Sequence, residues 1–129
     1  MFNHSISALV SIIKNGFTAK REIVSIPKSK MVENILKVLK STGYILNYST
    51  DANNKLRLNI HLKYYQGKNV ISGIRVVSKP GRRIYEGLKN IPVIRDGLGM
   101  SIISTSKGVI SSIDSRKFNV GGEVLLEIF

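Results

Sequence analysis

Three hydroxyl side chains stand in a row late in the chain, followed by one cation and one glycine, in the order Ser104, Thr105, Ser106, Lys107, Gly108. Ile102 and Ile103 precede them and a second apolar run begins at Val109, a pattern that predicts a strand, a tight turn and a second strand. Such a tip carries no bulky side chain, so its hydroxyls and ammonium can approach a polar surface closely. The minor groove of an RNA helix is one such surface, because it displays 2′-hydroxyls and base edges. An ordinary polar turn is the alternative, since Ser, Thr and Gly favour turns by themselves.

The charge balance favours a polyanionic partner. The 129 residues include 20 Lys and Arg against 8 Asp and Glu, a net charge of +12 at pH 7, which is typical of proteins that bind nucleic acid or an anionic membrane surface. Insertion into a membrane is not expected, because the apolar runs are far shorter than the roughly 20 residues that span a bilayer. The stretch 1–17 lacks the basic region and the cleavage site of a secretory signal, so we expect the chain to act in the compartment where it is made.

Catalytic and metal-binding patterns are missing from the sequence. The carboxylates have no paired spacing suited to acid and base catalysis, and a nucleophile at Ser104 or Ser106 would have no evident base. His4 and His61 have no ligand-type neighbours and the chain has no Cys, so neither a zinc site nor a disulfide is expected. The phosphate-binding pattern Gly-x-x-x-x-Gly-Lys-Ser/Thr is also absent. We therefore expect neither an enzyme nor a bound cofactor.

The first half of the chain predicts an α-β-α-β-β order. Apolar residues at helical spacing predict a helix from Ser5 to Gly16, with Gly16 as its stop, and Glu22 to Pro27 predicts a strand. A second helix would begin after the N-cap Ser29 and end at the glycine Gly43.

A hairpin would follow, with Tyr44 to Ser49 and Lys55 to Tyr65 as its arms. The second arm alternates with a period of two, and its buried face would carry Leu56, Leu58, Ile60, Leu62 and Tyr64. We place this N-terminal α/β module at 1–66.

The second half predicts a β-rich, RNA-binding module at 67–129. Strands are expected at Val70 to Val77, Arg83 to Tyr85, Ser101 to Thr105, Val109 to Ile113 and Glu123 to Ile128, with a turn at Lys79 to Arg82 and one helical turn at 114–119. No linker long enough to make the halves independent separates them. We therefore expect an α+β fold of two packed modules with a continuous interface.

Basic residues form two clusters rather than an even spread. One comprises Lys14, Lys20, Arg21, Lys28 and Lys30, and the other comprises Arg75, Lys79, Arg82, Arg83, Lys89 and Arg95. A single member would be an ordinary solvated charge, but together they would neutralise several phosphates and make RNA affinity fall as salt rises. Aromatic platforms for stacking single-stranded bases are not evident, so we expect recognition of a folded, helical RNA by its shape.

Short motifs along almost the whole chain are shared with one family. They are Ile13-Lys14-Asn15-Gly16, Pro27-Lys28-Ser29-Lys30, Val38-Leu39-Lys40 with Gly43-Tyr44-Ile45, Leu62-Lys63-Tyr64 with Gln66-Gly67-Lys68, Val77 to Tyr85, Gly97 to Met100, Ser104 to Val109, and Val120 to Leu125. On these motifs the chain resembles the universal small-subunit ribosomal protein eight in its bacterial form.

The resemblance implies a structural constituent of the small ribosomal subunit without catalytic activity. It implies primary binding to a helix in the central domain of the small-subunit rRNA, which the protein stabilises during assembly and translation beside neighbouring small-subunit ribosomal proteins. The RNA-binding residues that it implies are the loop Ser104, Thr105, Ser106, Lys107 and Gly108, the element Gly121, Gly122 and Glu123, the turn Lys79, Pro80, Gly81, Arg82, Arg83 and Tyr85, and Lys28, Ser29, Lys30, Lys14 and Asn15 of the first module. Contacts to the RNA backbone would carry affinity, and the hydroxyl loop would provide the fit.

The chain departs from the family's pattern at several positions. Ile12 and Lys14 stand where the family has two arginines, so part of one basic contact would be lost, and the stretch Ser112 to Asn119 diverges. With the frequent Ile, Lys and Asn, these changes suggest an AT-rich genome, and an organelle-encoded mitochondrial protein is slightly favoured over a bacterial one. A regulatory protein that binds its own mRNA through the same surface is the alternative function.

Overall fold

The computed structural model describes residues 2–77, 85–86 and 99–129. Its helices and strands, in chain order, are α1 (Phe2–Thr18), β1 (Ile23–Pro27), α2 (Lys30–Ser41), β2 (Ile45–Thr50), β3 (Arg57–Leu62), β4 (Tyr64–Tyr65), β5 (Lys68–Asn69), β6 (Ile74–Val76), β7 (Tyr85–Glu86), β8 (Met100–Thr105), β9 (Gly108–Ser111), α3 (Ser112–Phe118) and β10 (Gly122–Ile128). The chain divides into two compact units, Met1–Ser72 and Gly73–Phe129. Helices combined with antiparallel sheets confirm the predicted α+β class. The predicted turn at Lys79 to Arg82 lies outside the described residues.

The first unit has the predicted α-β-α-β-β order, and its antiparallel sheet has the strand order β1-β3-β2. Its core contains Ile6, Leu9 and Ile13 of α1, Ile35, Leu36 and Leu39 of α2, and Leu58, Ile60 and Leu62 of β3. These residues are one, three or four positions apart in the helices and two positions apart in β3. Each element therefore buries one face.

Local signals set both ends of α2. The Ser29 side chain accepts the Val32 N–H at 3.1 Å, as predicted for an N-cap. At the other end Gly43 has φ +86, and the N–H groups of Gly43 and Tyr44 donate to carbonyls of the last helical turn. These two bonds form a Schellman motif, so the predicted stop at Gly43 is confirmed.

The predicted stop at Gly16 is wrong, because α1 continues through it to Thr18. Gly16 is buried, and a Cβ atom there would lie 2.6 Å from Val24 Cγ1 and 2.9 Å from Leu62 Cδ1. This glycine marks the close approach of α1 to β1 and β3. The chain leaves the helix later, at Lys20, whose φ of 57° is left-handed.

The predicted buried face of β3 is confirmed for Leu58, Ile60 and Leu62. Leu56 and Tyr64, which were predicted to share this face, are exceptions. Leu56 is 78% exposed, because it lies in the turn before the strand. There its N–H donates to Asn54 Oδ1 at 3.0 Å and its carbonyl accepts the Lys28 N–H at 2.8 Å. Tyr64 is half-buried in β4, and its hydroxyl donates to the Arg21 carbonyl at 2.6 Å.

The second unit is organised around β10, which pairs with β6, β7 and β8. The sheet order is β6-β10-β8-β9, and β7 also pairs with β10. The register between β10 and β8 shifts between Val124 and Leu126, which is the signature of a β-bulge. Val124 lies opposite Ile103, and both are buried. The position of β10 therefore fixes the positions of the strands beside it.

The predicted strand from Val70 to Val77 is shorter in the structure, where only Ile74–Val76 is a strand. Val70 still belongs to the first unit, and its N–H donates to the Lys63 carbonyl at 3.2 Å. It is therefore unavailable for pairing in the second sheet.

The predicted strand from Val109 to Ile113 also ends early, at Ser111. The Ser111 side chain accepts the Asp114 N–H at 3.1 Å and so caps α3. The predicted helical turn at 114–119 is this helix, which begins at Ser112.

Candidate nucleic-acid interface

Residues 104–108, which we call the hydroxyl hairpin, lie where a strand, a turn and a second strand were predicted. They comprise the end of β8, the turn and the start of β9. Thr105 is paired with Gly108 across β8 and β9, so Ser106 and Lys107 form the tip of a two-residue turn. Both tip residues are exposed. The tip therefore presents a hydroxyl and an ammonium group to the solvent.

The Thr105 hydroxyl shapes this turn. Its Oγ1 accepts the Lys107 N–H at 3.0 Å and donates to the Gly108 carbonyl at 2.9 Å. Gly108 has φ +105, a conformation that residues with a side chain rarely adopt. Thr105, one of the predicted RNA-binding residues, thus has a structural role, because its hydroxyl holds the backbone of the turn.

The second predicted element lies on the neighbouring strand. β10 places Gly122 opposite Thr105 and Glu123 opposite Ser104. A Cβ atom on Gly122 would overlap the Ser104 carbonyl oxygen, so glycine is required for this approach. Gly121 and Ser104 are half-buried, and Glu123 is 8% exposed. The structure thus brings the hydroxyl hairpin and the Gly-Gly-Glu element together.

Tyr85 lies in the same row on the other side of β10. β7 places Tyr85 opposite Glu123, and directly opposed residues are neighbours across antiparallel strands. The order across the sheet is therefore Tyr85, Glu123, Ser104. The other predicted residues of this turn lie outside the described residues, namely Lys79, Pro80, Gly81, Arg82 and Arg83.

The predicted RNA-binding residues of the first unit lie on α1 and around the start of α2. Lys14 and Asn15 are exposed on α1, and Lys30 is exposed at the first position of α2. Lys28 forms an ion pair of 3.9 Å with a glutamate of the first turn of α2, and such a surface pair contributes little stability. The Ser29 hydroxyl is used as the N-cap, so its role in the structure is to begin the helix.

A groove of about 370 Å³ lies between α1 and β1, and it contains one predicted residue, Asn15. Arg21 and Ser25 also line it, and Arg57 Nε donates to Ser25 Oγ at 2.7 Å. The lining thus combines the Asn15 amide and the Arg21 guanidinium with mostly apolar residues. Ser25 and Arg57 were not predicted to lie together, because their proximity depends on the pairing of β1 with β3.

The helix α3 adds residues that were not predicted from the sequence. Phe118 is 48% exposed at the end of α3, and Lys107 Nζ lies 5.8 Å from the centroid of its ring. Arg116 and Lys117, which precede it, are also exposed. In the sequence, this surface is indicated only weakly, by an apolar residue directly before Asn119. In the structure, Asn119 has a left-handed φ of 58° and ends the helix. A cationic and aromatic surface thus adjoins the tip of the hydroxyl hairpin.

No group of three or more His, Cys, Asp and Glu in residues 2–77, 85–86 and 99–129 could hold a metal ion. Within the same ranges, no helix combines the length and the apolar character needed to cross a membrane.

Comparison with known proteins gives one consistent match. The family model described as Ribosomal protein S8 matches residues 4–129. A Small ribosomal subunit protein uS8 from Erythrobacter litoralis is 50% identical over 122 residues, which cover 94% of this chain and 93% of the relative. Proteins of the same name from Ruegeria pomeroyi and Rhizobium meliloti are 49% and 48% identical, over 98% and 94% of this chain and 99% and 93% of the relatives.

Proposed function

This chain belongs to the ribosomal protein S8 family, and we propose that it binds and stabilises a helix in the central domain of the small-subunit rRNA. Family membership makes it a protein of the small ribosomal subunit. It acts as a structural component, through binding rather than through catalysis. Neighbouring proteins of the subunit are its further partners.

One observation carries the proposal: the hydroxyl hairpin is paired directly with the Gly-Gly-Glu element of β10. Gly122 lies opposite Thr105, and Glu123 lies opposite Ser104. Two segments that the family resemblance implies for RNA binding, far apart in the chain, therefore lie side by side at one end of neighbouring strands in one sheet. A surface made of adjacent strands is rigid, so its polar groups are positioned before the RNA arrives.

The chemistry of the tip suits the minor groove of an RNA helix. A serine hydroxyl both donates and accepts hydrogen bonds, as a 2′-hydroxyl does, so Ser106 can bond a sugar in either direction. The Lys107 ammonium supplies a cation for a phosphate, within a chain whose net charge is +12. The turn bonds of Thr105 hold the backbone that carries both groups.

The named relatives support a bacterial source, since all come from bacteria. They give no support to the mitochondrial origin that the composition suggested. Nor do their names support the alternative partner, the protein's own mRNA.

Sucrose-gradient fractionation of an extract from cells that make the chain tests the proposal. We expect the chain to sediment with small-subunit rRNA at both low and high salt. A predominantly free pool would overturn the proposal and favour an mRNA-binding regulator. In parallel, alanine at positions 104–106 should weaken binding of purified protein to transcribed small-subunit rRNA by about 1–3 kcal/mol, because the partner groups on the RNA lose their hydrogen bonds.

A further inference from the structure

Phe118 is an exposed aromatic ring outside the core of its unit. Its exposure is 48%, whereas the buried residues of α3 are Ser112 and Ser115. Apolar surface that stays in contact with water contributes no burial free energy to folding. The ring is therefore available to a ligand.

The position of the ring indicates what kind of ligand it would suit. Lys107 Nζ, at the tip of the hydroxyl hairpin, lies 5.8 Å from the ring centroid, and Lys117 is exposed next to it in the chain. A nucleotide has a flat π-face and a negative phosphate on either side of it. Because Lys107 Nζ lies over the ring, a base would stack on the opposite face, and the nearby ammonium groups would meet its phosphates.

The end of α3 holds the backbone around Phe118 in place. Asn119 adopts a left-handed conformation, and the Val120 N–H donates to the Ser115 carbonyl at 3.0 Å. The hydroxyl of Ser115, which is fully buried, bonds the Val120 carbonyl in return. These bonds tie the helix end to the segment that leads into β10. With the backbone fixed, only the side chain of Phe118 loses conformational freedom when a base stacks on it.

We propose that Phe118 is a stacking platform for an unpaired base of the RNA that the hydroxyl hairpin binds. The inference rests on the proposed function and deepens it. The RNA ligand is a helix with an unpaired nucleotide next to the groove contacted by the tip. Recognition then combines the shape of the helix with one stacked base, whereas the sequence had predicted shape alone.

Photochemical cross-linking tests the contact directly. The purified chain is bound to transcribed small-subunit rRNA of Rhizobium meliloti, irradiated with short-wavelength ultraviolet light and digested, and the linked peptide is identified by mass spectrometry. We expect a nucleotide linked to Phe118. Chemical probing should show that this nucleotide is reactive in the free RNA and protected in the complex.

Affinity measurements on variants test its contribution. Phe118→Leu keeps an apolar side chain but loses the π-face, so affinity should fall about tenfold, as for the loss of one stacked base. Phe118→Tyr should bind within about twofold of the parent, since it keeps the face. Ile113→Ala is the matched control, because Ile113 is also an exposed apolar residue of α3, and it should bind as the parent does.

The Lys107→Met background separates stacking from support of the lysine. If Phe118 acts on a base, Phe118→Leu weakens binding in this background as well. If it acts only by holding Lys107, its effect disappears there and the inference is overturned. Equal affinity of Phe118→Leu and parent, with no cross-link at Phe118, also overturns it. A parent that binds no rRNA refutes the proposed function instead.

Discussion

Gly122 and Ser104 lie in such close contact across β10 and β8 that a Cβ atom on Gly122 would overlap the Ser104 carbonyl oxygen. The obstacle is backbone, which cannot rotate away as a side chain could. The pairing of the Gly-Gly-Glu element with the hydroxyl hairpin therefore depends on the absence of a side chain at this position.

Gly122→Ala should lower the free energy of unfolding by about 1–3 kcal/mol, the usual range for forcing extra atoms into a packed site. Hydrogen exchange followed by mass spectrometry gives the location of the damage. Amides of β8 and β10 should exchange faster, whereas those of β1 and β3 in the first unit serve as an internal control and should keep their protection. Unchanged exchange in β8 and β10 would contradict the prediction.

Thr105→Val should loosen the turn, because valine keeps the shape of threonine but loses both hydrogen bonds to Lys107 and Gly108. We expect the unfolding free energy to fall by about 1–2 kcal/mol and the Lys107 amide to exchange faster by NMR. RNA affinity should fall with it.

Two variants act as controls for the turn. Thr105→Ser keeps the hydroxyl and should resemble the parent in stability and binding. Ser106→Ala removes an exposed hydroxyl, so it should weaken RNA binding and leave stability unchanged. A stable Thr105→Val protein with normal exchange would show that the hydroxyl does not shape the turn.

Lys107→Met should reduce the salt dependence of RNA binding. Loss of one phosphate contact lowers the slope of log affinity against log salt by about one unit. Filter binding across a salt series measures this slope. Lys37→Met, on an exposed position of α2 outside the candidate interface, is the matched control, and equal slopes for the two variants would remove Lys107 from the interface.

Gly16→Ala should destabilise the first unit, although the same change in a helix usually stabilises by roughly 0.5–1 kcal/mol. The new Cβ would lie 2.6 Å from Val24 Cγ1, and a buried, β-branched side chain has little freedom to move. Urea denaturation should show a loss of about 1–3 kcal/mol.

A double-mutant cycle with Val24→Ala identifies the cause of that loss. Removing the valine methyl groups should destabilise the parent more than it destabilises the Gly16→Ala protein, because in the latter it also relieves the overlap. Additive effects would mean that the two positions do not compete for space.

Tyr44→Phe should make stability less sensitive to alkaline pH. Burial raises the pKa of the Tyr44 phenol above its ordinary value of 10.0. As pH rises past that value, the phenol of the unfolded chain loses its proton before that of the folded chain, which favours unfolding. The contribution is complete below the unfolded-state pKa and is lost as pH rises through the raised folded-state pKa. Urea midpoints measured on either side of pH 10.0 should fall more steeply for the parent, and parallel curves would contradict this assignment.

Features set by neighbouring residues were predictable from the sequence. The ends of α2 follow from Ser29 and Gly43, whose capping bonds reach only a few residues along the chain. The hydroxyl hairpin was predictable for the same reason, since its turn is closed by residues next to one another.

Features set by distant residues were not predictable in this way. Gly16 was predicted to end α1, but its role is set by Val24, a β1 residue that lies against it. The exposure of Phe118 likewise depends on what the rest of its unit leaves uncovered. Each of these outcomes is decided by tertiary contacts, which override local propensity.

Synthesis from the amino end gives the two units different histories. The strands and helices of the first unit all precede residue 73, so this unit can form while later residues are still being added. The second sheet is different, since β6, β7 and β8 all pair with β10, which follows them in the chain. Until Gly122–Ile128 emerges, the earlier strands lack their central partner and expose edges that can pair wrongly. Truncation or stalling just before β10 would therefore leave a folded first unit attached to an aggregation-prone second one.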